Sequence, residues 1–188
     1  MTQILLKPFS LKIMAGNPNF KDIVEKAREF GCQQGILVPW IDPLKGEKPR
    51  SYIQRVLKNT TCSDDVITLV YIVICGQRIL PIPESLEAKS NLLKLLSGRR
   101  HQIWIGLACQ IKSQIKTRIT LTRVSLKNLS THEMTDYISS DEGNNCSGGY
   151  HPNGYAARFV KSINGSPSAL TGLPAFEFHT LISTWRAS

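Results

Sequence analysis

A chain of 188 residues with 41% hydrophobic content is long enough to bury a core and too apolar to stay globally disordered. No apolar run approaches the roughly 20 residues that span a bilayer, and the first 20 residues lack the long apolar stretch of a secretory leader. We therefore expect a soluble cytoplasmic protein with no membrane partner. The five cysteines are scattered and form no C-x-x-C pair, which argues against a disulfide framework or a cysteine zinc site.

The formal net charge is +9, and no acidic residue lies between Glu87 and Glu133. Lys89, Lys94, Arg99, Arg100, Lys112, Lys116, Arg118, Arg123 and Lys127 all fall in that interval. A field of this sign attracts polyanions, so region 89–127 is a candidate contact for nucleic acid or an acidic partner. A solvated basic face is the alternative.

In chain order, Ile13 to Ala15 reads as a short strand. A helix comes next, capped by Asn17 with Pro18 in its first turn, apolar at Ile23, Val24 and Ala27, and stopped by Gly31. A second strand ends at Asp42, and Tyr52 to Lys58 has helical spacing. The run from Val66 to Cys75 is rich in β-branched residues without strict alternation, the pattern of a central strand covered on both faces. After a turn at Gly76, Ser85 opens a leucine-rich helix that Gly98 closes. The residues from His101 to Leu129 split near Ser113 into two β-rich runs and predict a long antiparallel hairpin. Ser130 with Glu133 forms a capping box, and the chain closes on a helix from Pro174.

Between that capping box and the last helix lies a glycine-rich segment. Five of the chain's 13 glycines fall between Ser147 and Pro174. Gly148, Gly149 and Gly154 permit positive φ and close approach of a ligand to main-chain N–H groups. Tyr150 or Tyr155 can stack on a base or plug the core. A loop needed only for tight packing has the same composition.

The order of motifs adds specificity. Leu96-Ser97-Gly98 with His101, Leu129-Ser130 with Glu133 and Tyr137, Gly148, Tyr150 and Gly154, then Gly172-Leu173-Pro174 succeed one another as they do in the Maf family. This succession resembles those house-cleaning nucleoside triphosphate pyrophosphatases over roughly residues 11–186. The resemblance implies a single Maf-like domain over residues 1–188. Its fold would be α/β, a mixed twisted sheet with helices on both faces, two lobes around a nucleotide cleft and a long antiparallel hairpin. It implies hydrolysis of a nucleoside triphosphate to monophosphate and pyrophosphate, a divalent cation (Mg²⁺ or Mn²⁺) as cofactor, and pairing into a homodimer. Carried over by position, Asn17, Gly148, Tyr150, Asn153 and Gly154 are the nucleotide-binding candidates and Asp42 the catalytic one.

The residues that should do the chemistry depart from that pattern. The family's paired arginines after the first strand fall on Asn19 and Phe20, and the glutamate after Asp42 falls on Pro43. The Lys-Ala at the end of the next helix falls on Thr60 and Thr61. The Asp-Thr of the central strand becomes Val70 and Tyr71, the Lys-Pro beyond it Ile82 and Pro83, and the glutamine of the glycine motif Asn153. Valine offers no oxygen to a metal and isoleucine no charge to a phosphate. The metal ligands are thus undetermined; Asp64 and Asp65 are either a displaced site or turn residues. The histidines (101, 132, 151 and 179) lack metal spacing, and Cys146 is either a bystander or a reactive thiol, with no obvious partner in the residues beside it. Three readings stay open: a pyrophosphatase of weak or lost activity, a non-catalytic nucleotide- or polyanion-binding protein on the same scaffold, and a purely structural dimeric module.

Overall fold

The computed structural model describes residues 9–15, 17, 20–28, 32–60, 66–111 and 114–187. Pro18, Asn19, Gly31, Thr61, Asp64, Asp65 and Lys112 lie outside them, and with them the expected helix start and stop and the displaced metal site. In chain order the elements are β1 (Phe9–Met14), α1 (Phe20–Arg28), β2 (Cys32–Val38), α2 (Pro49–Thr60), β3 (Val66–Cys75) and β4 (Arg78–Leu80). Then come α3 (Leu86–Leu96), β5 (Arg100–Ile111), β6 (Gln114–Leu126), α4 (Thr131–Ser139), β7 (Val160–Asn164) and α5 (Ala175–Arg186).

The seven strands form one open mixed sheet in the order β2-β1-β3-β5-β6-β7, with β4 also on β3. β1 runs parallel to β2 and to β3, whereas β3, β5, β6 and β7 pair antiparallel. All ten residues of β3 are buried, as its unalternating β-branched run predicts. One edge of β3 carries β5; the other carries β1 beside residues 66–69 and β4 beside residues 73–75.

Side chains alternate across a strand, so the sheet divides the core in two. Leu69, Tyr71 and Val73 join the larger cluster, which takes residues from α1, α3, α4 and α5. Val70, Ile72 and Ile74 point the other way, onto Tyr52, Ile53, Val56 and Leu57 of α2. Gly106 on β5, opposite Val70, admits that helix. A Cβ there would lie 2.2 Å from Ile53 Cγ2.

Local signals behave as the sequence predicts. Ser85 Oγ accepts from Ala88 N at 3.1 Å, and Gly98, at φ +69°, turns the chain after α3. Ser130 and Glu133 close the capping box reciprocally. The hairpin keeps an unbroken register from Arg100 opposite Ser125 to Ile111 opposite Gln114. β2 ends at Val38 rather than Asp42, because Pro39 cannot donate to a ladder. β7 was not legible: it is short, largely exposed and without alternation, and exists through its pairing with β6.

Candidate functional site

The glycine-rich segment spends its backbone on the protein itself. Gly148 N–H donates to Pro81 O at 2.9 Å, Gly149 N–H to Cys146 O at 2.9 Å and Gly154 N–H to His151 O at 3.1 Å. Ser147 Oγ accepts from Val73 N at 3.0 Å and donates to Leu80 O at 2.8 Å, bracing β3 against β4. Gly148 and Gly149 adopt φ of +81° and +71°, and a Cβ on Gly148 would meet Val73 Cγ1 at 3.1 Å. These glycines serve close packing. Glu142 organises the turn after Gly154, accepting from Tyr155 N at 2.9 Å and Ala156 N at 3.3 Å.

Tyr150 is fully buried, and its hydroxyl meets His101 Nε2. Burial pulls His101 down to about 4, so the ring is neutral at pH 7. The Tyr71 hydroxyl is also buried and has no hydrogen-bond partner among the described residues. Cys146 is buried and its thiol is pushed up to about 12 by desolvation, which suits an unreactive bystander.

The other candidates occupy separate places. Asn17 Nδ2 donates to Gly172 O at 3.2 Å and ties the first loop to the Gly-Leu-Pro element. Asp42 Oδ1 accepts from Trp40 Nε1 at 3.2 Å, and its main-chain carbonyl accepts from Arg55 Nη2 at 3.1 Å. Asn153 is exposed and makes no side-chain hydrogen bond among the described residues. Asn17 thus meets the glycine-rich segment at Gly172, whereas the hydrogen bonds of Asp42 run to Trp40 and Arg55.

Position 70, where the resemblance puts a metal-binding carboxylate, is sealed. Val70 is 0% exposed within the apolar cluster under α2. Ile82 lines a different cavity, of about 600 Å³, between β4 and α3. At the end of α2 the Thr60 carbonyl receives the Lys12 ammonium at 3.2 Å, a contact the sequence did not suggest. Among the described residues no three His, Cys, Asp or Glu side chains converge to hold a metal ion. The described residues do not fit the divalent cation that the resemblance implies.

Nor is the basic region one surface. Lys89 is 0% exposed and caps the end of α4, with Nζ 3.0 Å from Asn144 Oδ1 and 3.5 Å from the Tyr137 and Ile138 carbonyls. Burial lowers its pKa. Lys127 pairs with Glu133 and holds that carboxyl down to about 2. Arg118 pairs across the ladder with Leu107 and Arg123 with Gln102. Those two arginines therefore lie on opposite faces of the sheet.

An open mixed sheet, with α2 on one face and the remaining long helices on the other, places the molecule among α/β proteins whose central strand is fully covered. The profile of the Maf-like protein family matches residues 30–185, and the chain belongs to that family. It is 38% identical over 162 residues to a dTTP/UTP pyrophosphatase of Sphingopyxis alaskensis, covering 79% of this chain and 83% of that protein. It is 35% identical over 163 residues to a nucleoside triphosphate pyrophosphatase of Ehrlichia ruminantium (strain Welgevonden), covering 80% and 83%. A dTTP/UTP pyrophosphatase of Photorhabdus laumondii shares 30% identity over 188 residues, 95% of each chain. No helix among the described residues is long and apolar enough to cross a membrane.

Proposed function

We propose that this Maf-family chain takes nucleoside triphosphates as ligands in the cytoplasm and that its metal-dependent hydrolysis is weak or lost. The observation that carries the reading is Val70, enclosed by Tyr52, Ile53, Val56 and Leu57 where a carboxylate would be needed. A hard cation requires oxygen ligands, and in pyrophosphate chemistry it stabilises the charge that develops on the phosphate. Removing one such stabiliser commonly costs about 2.7–4 kcal/mol of barrier, and here several positions are changed. Pairing into a homodimer belongs to the same proposal.

The relatives' names make dTTP and UTP the first nucleotides to assay. Pyrophosphate release is measured with Mg²⁺ or Mn²⁺ for the natural chain and for a variant carrying Val70→Asp, Ile82→Lys and Thr60→Lys. We expect no metal-dependent turnover from the natural chain and measurable turnover from the variant. Turnover by the natural chain that disappears on chelation overturns the reading. A thermal melt accompanies the variant, because an aspartate in this apolar cluster costs several kcal/mol unless a cation joins it.

A second reading, a non-catalytic nucleotide- or polyanion-binding protein, is favoured by Arg100 and Arg123. Both are exposed and line one cavity, and neither makes an ion pair among the described residues.

A further inference from the structure

We infer that the part of the sheet face beside α2 that no described helix covers is a metal-independent nucleotide-binding groove, with Trp104 as the platform for a base and Arg100 and Arg123 as the phosphate fork. This rests on the nucleotide-binding part of the second reading above, not on the absence of catalysis, and names its ligand and residues.

The ladder builds the groove. On β5, Arg100, Gln102 and Trp104 alternate onto one face. The register sets Gln102 between Ile74 on β3 and Arg123 on β6. Arg100 and Arg123 are then diagonal neighbours, about 7–8 Å apart at the backbone. A cavity of about 300 Å³ is lined by both arginines with Ile74, Gly76, His101 and Gln102. A second, of about 450 Å³, shares Ile74, Gly76 and Gln102 and continues to Trp104, Gln77 and Lys48. The two are chambers of one groove.

Its charge is unbalanced. Among the described residues no acidic side chain lines the smaller chamber. The one carboxylate lining the larger chamber among them, Glu47, is engaged by Arg55 Nε at 2.8 Å and Nη2 at 2.7 Å. That bond holds Glu47 below the usual carboxylate range. Two like charges lining one chamber repel each other and are relieved by an anion between them. Their forked donors match phosphate. The first turn of α2, which opens the far wall, carries no acidic residue to oppose an anion.

The apolar end suits a base. Trp104 is half-buried against the α2 cluster, and its indole N–H donates to Gln102 Oε1 at 2.7 Å. This fixes the ring and leaves the Gln102 amide N–H groups as donors near the arginines. Stacking on an aromatic ring is favourable whatever the base, because every base has a π-face. A base at one end and a phosphate at the other define a nucleotide, either free or as a unit of a single strand.

The test uses the full chain in EDTA, so that no hydrolysis by a metal enters. Tryptophan fluorescence is titrated with dTTP, thymidine and an eight-nucleotide oligo(dT). We expect saturable quenching by dTTP or the oligonucleotide, absent in Trp104→Phe and at least tenfold weaker for thymidine and for the Arg100→Gln, Arg123→Gln double variant. Arg118→Gln, on the opposite face, should bind as the natural chain does. Equal affinity for dTTP and the oligonucleotide identifies a free-nucleotide site. Tighter binding of the oligonucleotide with a steeper salt dependence identifies a strand site. Absence of quenching by both probes, or quenching that survives the double variant, overturns the inference. Because binding is read without metal, its failure leaves the hydrolytic reading standing, and pyrophosphate release by the natural chain leaves this one standing.

Discussion

His101 sits where β5 meets the glycine-rich segment, 2% exposed and in contact with the Tyr150 hydroxyl. Its folded pKa of about 4 lies below the ordinary 6.5. The unfolded chain therefore binds a proton more readily between those values. The neutral ring's contribution is fully present above pH 6.5 and is lost as the pH falls through 4. The slope reaches about 1.4 kcal/mol per pH unit at most. Glu133 starts from 4.5 and is depressed, so it contributes a loss only at lower pH. Urea denaturation between pH 7.5 and 5 should show falling stability in the natural chain and a flat profile in His101→Gln. An equal fall in both would assign the effect elsewhere. The motif order made His101 and Tyr150 conspicuous in the sequence, but not that the Tyr150 hydroxyl meets Nε2 while the buried Nδ1 has no partner among the described residues.

Among the elements, α2 and β5 show how one small residue decides a packing distance. Gly106 lies directly under Ile53 and Leu57, with no room for a Cβ. Gly106→Val should lift α2 from the sheet and cost about 1–3 kcal/mol as overpacking, read as a lower denaturation midpoint with unchanged helical content. A midpoint equal to the natural chain's would mean that α2 does not bear on β5. The caps of α3 and α4 were readable because the signal lies within four residues. β7 was not, since a short exposed strand carries no periodicity of its own. Glu47 and Arg55 form a bidentate pair across a loop and a helix turn, which neither residue announces in the sequence.

At the scale of the whole molecule, the proposed loss of the metal site has a thermodynamic signature. A ligand that binds only the folded state raises the melting temperature. Millimolar Mg²⁺ or Mn²⁺ should leave the melting temperature of the natural chain where EDTA leaves it. A rise of several degrees with metal would show a site that the described residues do not reveal. In the proposed reading fold and mechanism separate because they depend on different residues. Gly148, Gly149, Gly172 and the leucines of α3 sustain backbone geometry and core packing whatever the substrate, while the resemblance puts the groups for a phosphate and a metal at positions 60, 70 and 82, where this chain has Thr, Val and Ile.

Hydrophobic period, capping residues and glycine placement, all local quantities, determined the helices, the buried central strand, the long hairpin and the family resemblance. Only the tertiary structure decided what those elements present to one another. It consumed the N–H groups of Gly148, Gly149 and Gly154 inside the fold. It closed an apolar cluster over Val70, put Arg118 and Arg123 on opposite faces, and brought Trp104, Gln102, Arg100 and Arg123 onto one open surface. The physical reason is register. A strand's sequence states which residues alternate, but the pairing of strands far apart in the chain selects which of them share a face and which stay in reach of water.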